Sequence, residues 1–124
     1  MALSDDLERI AAAAGPGLTG VLPAELLDGT RVYLCAFESG EWLALDAAGQ
    51  PVTSRRVVRE AASLAALCEV AEEASGAEPE HPRLATNAYL DSFGAGIASA
   101  VEQAASAVAA LADEVERRHR TPLA

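Results

Sequence analysis

The segment RVYLCAFESGEWLALD, residues 31–46, decides the fold of this chain. Its first half alternates two sets of side chains, and both sets are apolar: Val32 and Leu34 on one face, Tyr33 and Cys35 on the other. Strands that are apolar on both faces are covered on both sides. We therefore expect this part of a sheet to be enclosed by helices or by a second subunit.

An antiparallel meander is predicted around this segment, over residues 20–52. Its strands are expected at residues 21–27, 31–38 and 42–46. The dipeptide Asp28-Gly29 is a strong signal for a hairpin between the first two strands. Pro23 cannot donate to a strand ladder, so it predicts an edge position or a bulge in the first strand.

Helical segments are predicted on either side of the meander. Helices are expected over residues 1–16, 54–75 and 86–119, the last one long and rich in Ala, with a linker over residues 76–84. Thr53 or Ser54 is a suitable N-cap for the second helix, and Gly76 is a suitable stop. The chain is thus predicted to be a single α+β domain over residues 1–124.

The composition restricts the classes of partner. The 124 residues carry a formal net charge of −10, which repels nucleic acid and anionic membranes at long range. Apolar residues make up 51% but aromatic residues only 4%, so the core is small in area and association with another chain would add to it. The acidic N-terminus and the lack of an apolar run of about 18 residues argue against a signal peptide and a membrane span. We expect a cytoplasmic protein.

The last predicted helix carries an apolar stripe with heptad-like spacing. Two series of residues recur every seven positions and interleave at spacings of three and four, which places them on one helical face. The stripe consists of Leu90, Gly94, Ile97, Val101, Ala104, Val108, Leu111 and Val115. A helix of roughly 30 residues spans about 45 Å, more than a domain of this size is wide. We therefore expect the stripe to be an interface, in a homodimer or in a larger complex.

Two glycines interrupt this helix in the sequence. Gly94 and Gly96 each cost about 1 kcal/mol relative to Ala inside a helix. They predict either a close approach by a neighbouring backbone or a local kink.

A basic cluster lies at the start of the second predicted helix. Arg55, Arg56 and Arg59, beside free helix N–H groups, could hold a phosphate or a carboxylate. The preferred interpretation is that they pair with carboxylates of this chain or of a partner, Arg56 with Glu60 among them.

The remaining motifs form no catalytic constellation. Residues 15–20 match the G-x-G-x-x-G pattern, but phosphate binding needs a strand before it and a helix after it. The predicted order is the reverse, so we interpret the glycines as a helix stop and a turn. His81 lies in the linker and His119 at a helix end, neither with the spacing of a metal ligand set. Cys35 and Cys68 lie in apolar segments and are predicted to be buried free thiols. No cofactor or metal is expected.

These features predict a non-catalytic protein–protein interaction module: an accessory, adaptor, scaffold or assembly-chaperone subunit that associates through its last helix. Small acidic assembly and secretion chaperones have a similar charge and order of elements, which is an analogy at the level of class only. Two alternatives are kept: a small-molecule or anion-binding domain centred on the basic cluster, and a small enzyme without a recognisable motif.

Overall fold

A four-stranded sheet with helices on both faces forms the centre of the protein in its computed structural model. The structure describes residues 3–76 and 84–124, and most of the predicted linker, residues 77–83, lies outside the described residues. The strands are β1 (Leu18–Glu25), β2 (Arg31–Phe37), β3 (Trp42–Asp46) and β4 (Ala85–Thr86). The helices are α1 (Leu3–Ala14), α2 (Arg55–Ser75), α3 (Asn87–Asp91), α4 (Ala98–Gln103) and α5 (Ala105–Arg117). The predicted α+β class is confirmed.

The strands of the sheet follow the order β3-β2-β1-β4. β1, β2 and β3 form the antiparallel meander that the turn signals predict. β4 is an addition that the sequence did not indicate, a two-residue strand parallel to Ala24 and Glu25 of β1. β4 pairs with β1 only at those two positions. At Pro23, therefore, β2 is the one described strand that pairs with β1. This position requires no second backbone donor from Pro23.

Both faces of β2 are covered, as its two apolar sets predict. On one face, Ile10 and Ala14 of α1 pack with Tyr33, Cys35 and Phe37. On the other face α2 and α5 supply the cover. The buried residues there include Val32, Leu34, Val58, Leu64, Ala112 and Val115. The helices of the same chain therefore enclose the sheet, and a second subunit is not needed for that purpose.

α2 has the two ends that the sequence predicts. The backbone N–H of Val57 donates to the side chain of the N-cap Ser54 at 3.4 Å. At the other end Gly76 adopts a left-handed φ of 73°, and its N–H donates to the carbonyls of Glu72 and Glu73. Capping of both ends satisfies backbone groups that the helix itself leaves unpaired.

The segment over residues 86–119 is helical but is divided, which corrects the prediction of one continuous helix. α3 is followed by Gly94, whose φ of 78° lies in the left-handed region that favours glycine. A 3₁₀ turn, Ala95–Ile97, leads into α4. A second break occurs at Ala104, with φ −88° and ψ 6°. The chain is kinked at Gly94, as the glycines allowed, so it forms no continuous rod of about 45 Å.

The chain after α5 runs along the outer edge of β3. The N–H of Trp42 donates to the carbonyl of Arg118 at 2.9 Å, and the N–H of Arg120 donates to the carbonyl of Trp42 at 2.8 Å. Between them, the N–H of Ala44 donates to Nε2 of His119 at 3.1 Å. His119, predicted at a fraying helix end, is therefore a structural residue that satisfies an edge-strand donor.

A buried carboxylate connects α1 to the sheet. Asp6 is 2% exposed and accepts hydrogen bonds from the hydroxyl of Tyr33 at 2.8 Å, from Arg31 at 3.2 Å and from Arg9 at 3.3 Å. The hydrogen bond from Tyr33 is the largest cause that lowers the pKa of Asp6. Burial raises the pKa of Tyr33 itself. Since the described residues contain no buried side-chain polar atom without a partner, we interpret this network as structural.

The two cysteines are buried and form no disulfide, as predicted. Both are fully inaccessible to solvent, and burial raises the pKa of Cys35 to about 11. Because the thiolate is the reactive form, we expect no rapid reaction of the native protein with Ellman's reagent at about pH 8, well below that raised pKa. Both thiols are expected to react after denaturation in guanidinium. A rapid stoichiometric reaction of the native protein would contradict the buried placement.

Candidate functional site

α3 and α4 differ from the other helices in how little of their surface is covered. Of their described side chains, none is fully buried, whereas α2 has nine buried residues. α3 is nevertheless anchored: the hydroxyl of Tyr89 donates to the buried carboxylate of Glu72 at 2.6 Å, and its ring meets Phe93 edge to face at 5.1 Å. The position of α3 is thus defined while much of its apolar surface stays accessible.

An open groove of about 500 Å³ lies along α3 and α4. We call it the α3–α4 groove. Its lining consists of Leu90, Asp91, Gly94, Ile97, Ala98, Val101 and Glu102. Leu90, Ile97 and Val101 are each partly exposed and form its apolar part. The left-handed turn at Gly94 changes the chain direction between the two helices, which allows residues of both to line one concave surface.

In the described part of the chain, the two polar members of the lining are both acidic. Asp91 and Glu102 are exposed, and among the described residues neither forms an ion pair with an arginine. The groove therefore combines apolar side chains with two negative charges at its margin. Its chemistry suits a ligand that is apolar and cationic.

The fold does not keep the predicted interface stripe as one exposed face: four of its members line the α3–α4 groove, whereas Val115 is buried in the core. Leu90, Gly94, Ile97 and Val101 line the α3–α4 groove. Ala104 and Val108 are partly buried. Leu111 packs against the core, and Val115 is fully buried within it. Val115 is therefore inaccessible to a partner, and the stripe is not one continuous interface.

The basic cluster is occupied by carboxylates of the same chain. Arg59 contacts Asp113 and Glu116 of α5, each at 2.7 Å, and these hydrogen bonds raise its pKa. Arg56 pairs with Glu60 at 2.8 Å. Arg55 lies 3.9 Å from Glu116, and its backbone N–H donates to the carbonyl of Ala124. Arg55 and Arg59 thus join α2 to α5, whereas Arg56 pairs within α2.

The other motifs occupy structural positions or lie outside the described residues. Gly15 and Gly17 have φ values of 88° and 85° in the turn between α1 and β1. The helix therefore precedes the glycines and the strand follows them, which is the predicted order. His81 is not among the described residues. Within the described ranges, no group of three His, Cys, Asp or Glu residues is arranged to hold a metal ion.

Sequence reasoning missed the importance of the acidic margin. From the sequence, Asp91 is interpreted as a capping residue, with a place in the lining of a small pocket as the alternative, and Glu102 has no distinctive neighbours. A signal was present: the two carboxylates are eleven positions apart in the sequence, as are Leu90 and Val101, so each follows one of the two apolar residues. Only the structure shows that all four of these residues line the same groove.

No protein family, curated protein or solved structure matches this chain. Among the described residues, no helix is both long and apolar enough to span a bilayer. The function is therefore inferred from the geometry and chemistry of the chain itself.

Proposed function

We propose that this protein is a non-catalytic protein–protein interaction module and that it binds a partner polypeptide in the α3–α4 groove. The single observation that supports this function best is the groove itself. Three large apolar side chains, Leu90, Ile97 and Val101, line an open cavity formed by α3, α4 and the turn between them, and neither helix has a buried described residue. The class of role is that of an accessory, adaptor, scaffold or assembly-chaperone subunit.

The physical basis is the hydrophobic effect. Each Å² of apolar surface removed from water contributes about 25 cal/mol, so covering the groove stabilises a complex. Concave apolar sites with a few polar groups at the margin are the usual form of a binding surface.

The proposal includes a cytoplasmic location. Two buried cysteines that form no disulfide suit a reducing compartment. The net charge of −10 disfavours nucleic acid and anionic membranes as partners, which is consistent with a protein partner.

Site-specific photo-crosslinking tests this function. A benzoylphenylalanine replaces Ala98, which lines the groove, and in a matched chain it replaces Ala12, which is exposed on α1 at the opposite face of the sheet. After irradiation in cells of the source organism, we expect a discrete adduct from position 98 and none from position 12. We also expect Val101→Asp, introduced together with the probe at position 98, to abolish that adduct, because a carboxylate in the groove opposes burial of an apolar ligand.

Two results would contradict the function. Equal adduct yields from positions 98 and 12 would show that the groove is not a preferred contact surface. An adduct from position 98 that persists with Val101→Asp, in a protein that circular dichroism finds folded, would show that binding does not use the apolar lining.

A further inference from the structure

We infer that the occupant of the α3–α4 groove is an amphipathic helix with Lys or Arg beside its apolar stripe, supplied by a different protein and not by a second copy of this chain. This inference rests on the proposed function and specifies its partner. It follows from three observations: the elements that form the groove, the charges at its margin, and the positions of the arginines of this chain.

The elements of the groove favour a helical ligand. The lining comes from α3, α4 and the turn between them, so no strand edge is available for a ligand to extend. An extended peptide covered by this groove would lose hydration of its backbone N–H and C=O groups without gaining partners. A helix satisfies those groups internally and presents anchors at spacings of three, four and seven residues, which is how helices bind in apolar grooves.

The charges favour a cationic flank on that helix. Among the described residues, Asp91 and Glu102 are the two charged groups of the lining. Both are exposed, and the described arginines leave both without an ion pair. A ligand with an acidic flank would add like charges to a chain that already carries a net charge of −10. A basic flank pairs with the two carboxylates and is also attracted at long range.

The arginines of this chain argue against a second copy as the occupant. Of the nine arginines, Arg83 lies outside the described residues, and six of the other eight form ion pairs within the chain. The two without one are Arg117 and Arg118, and Arg118 lies against Gly40 beside the edge of β3. A symmetric dimer in which the groove of one copy meets the groove of the other would bring Asp91 and Glu102 of the two copies together. Like charges at such a contact oppose association.

A pair of synthetic helical peptides tests the inference. Both have about 18 residues and the same four leucines at spacings of four, three and four; one has lysines beside the stripe and the other glutamates. Fluorescence anisotropy measures their affinity for the full chain at low salt. We expect the lysine peptide to bind about 10-fold more tightly or better, with an advantage that shrinks as salt screens the charges.

Charge-neutralising variants locate the effect. The double variant Asp91→Asn with Glu102→Gln keeps the shape of the groove and is expected to weaken the lysine peptide about 3- to 10-fold, as two exposed ion pairs would. The matched control Glu8→Gln with Glu38→Gln removes two exposed carboxylates outside the groove and is expected to change affinity less than about 2-fold. Sedimentation of the purified chain is expected to show a monomer.

The outcomes separate this inference from the proposed function. Equal binding of both peptides, binding of neither, or an equal effect of the two double variants would overturn the basic helix as occupant. A dimer that Val101→Asp dissociates would identify a second copy as the occupant and overturn the inference as well. If one of these results occurs while the adduct from position 98 still depends on Val101, the interaction function stands and only the partner chemistry is wrong.

Discussion

Replacing Val115 with Asp is expected to unfold the protein, whereas the same replacement at Val101 is expected to leave it folded and remove partner binding. Both residues belong to the same stripe, fourteen positions apart. Val115 is completely buried between α5 and the sheet-facing side of α2, and a carboxylate there would have no solvent or partner. Such burial costs several kcal/mol, which is comparable with the whole stability of a typical domain, about 5–15 kcal/mol.

Circular dichroism and urea denaturation measure this contrast. For Val101→Asp we expect a change of less than about 1 kcal/mol in the free energy of unfolding, because its side chain lies at an open groove. Val115→Ala serves as the conservative control and is expected to lower the free energy of unfolding by about 1.5–3 kcal/mol without abolishing the fold. A folded Val115→Asp, or an unfolded Val101→Asp, would show that the division of the stripe is not as described.

The second large effect is expected in the network that connects α1 to the sheet. Tyr33→Phe removes the hydroxyl that donates to Asp6 at 2.8 Å, a hydrogen bond to a charged group inside the protein. We expect the free energy of unfolding at about pH 7 to fall by about 1.5–3 kcal/mol. Urea denaturation of both proteins across the pH range measures the loss and its dependence on protonation.

The direction of the pH dependence follows from the two pKa shifts. The pKa of Asp6 lies below its ordinary value of 3.8, mainly because of the hydrogen bond from Tyr33; its contribution is complete above 3.8 and is lost as the pH falls through the folded pKa. The pKa of Tyr33 lies above its ordinary value of 10.0, mainly because of burial; its contribution is present below 10.0 and is lost as the pH rises through the folded pKa. We therefore expect Tyr33→Phe to reduce the acid loss and to remove the part of the alkaline loss that Tyr33 causes. The buried Cys35, whose pKa is raised to about 11, keeps its own part.

A double-mutant cycle separates this hydrogen bond from a general packing effect. In the background of Asp6→Asn, the replacement Tyr33→Phe is expected to cost less than it does in the natural sequence, because the charged acceptor is gone. Equal costs in both backgrounds, or an unchanged acid limb in Tyr33→Phe, would show that the hydroxyl does not stabilise the ionised form of Asp6.

Much of the fold could be predicted because its signals are local. Ser54 and Gly76 identify the ends of α2 through contacts within one helical turn. The alternation of apolar residues in β2 determines that both faces are covered, since side chains on a strand alternate regardless of what covers them. The pairing of Arg56 with Glu60 spans one helical turn, and it could be predicted because it too is a local contact.

The contacts between residues far apart in the sequence could not be predicted from the sequence. Arg59 meets Asp113 and Glu116 from positions 54 and 57 residues away, and Ala44 meets His119 across 75 residues. No periodicity specifies such partners, because each depends on how the helices lie on the sheet. The sequence therefore suggested an anion site and a fraying helix end where the structure has ion pairs between helices and a protected strand edge.

The sequence by itself determined the α+β class, the meander, the capped second helix and the existence of an apolar stripe. Only the tertiary structure decided that Val115 of that stripe is buried in the core, whereas Leu90, Ile97 and Val101 line an open groove. Heptad spacing reports that residues share a face and is identical for Val101 and Val115. Burial depends instead on where each helix lies. α5 shares a hydrophobic core with α2 and the sheet, and Val115 is buried there. The left-handed turn at Gly94 separates α3 from α4, and apolar residues of this region line an open groove.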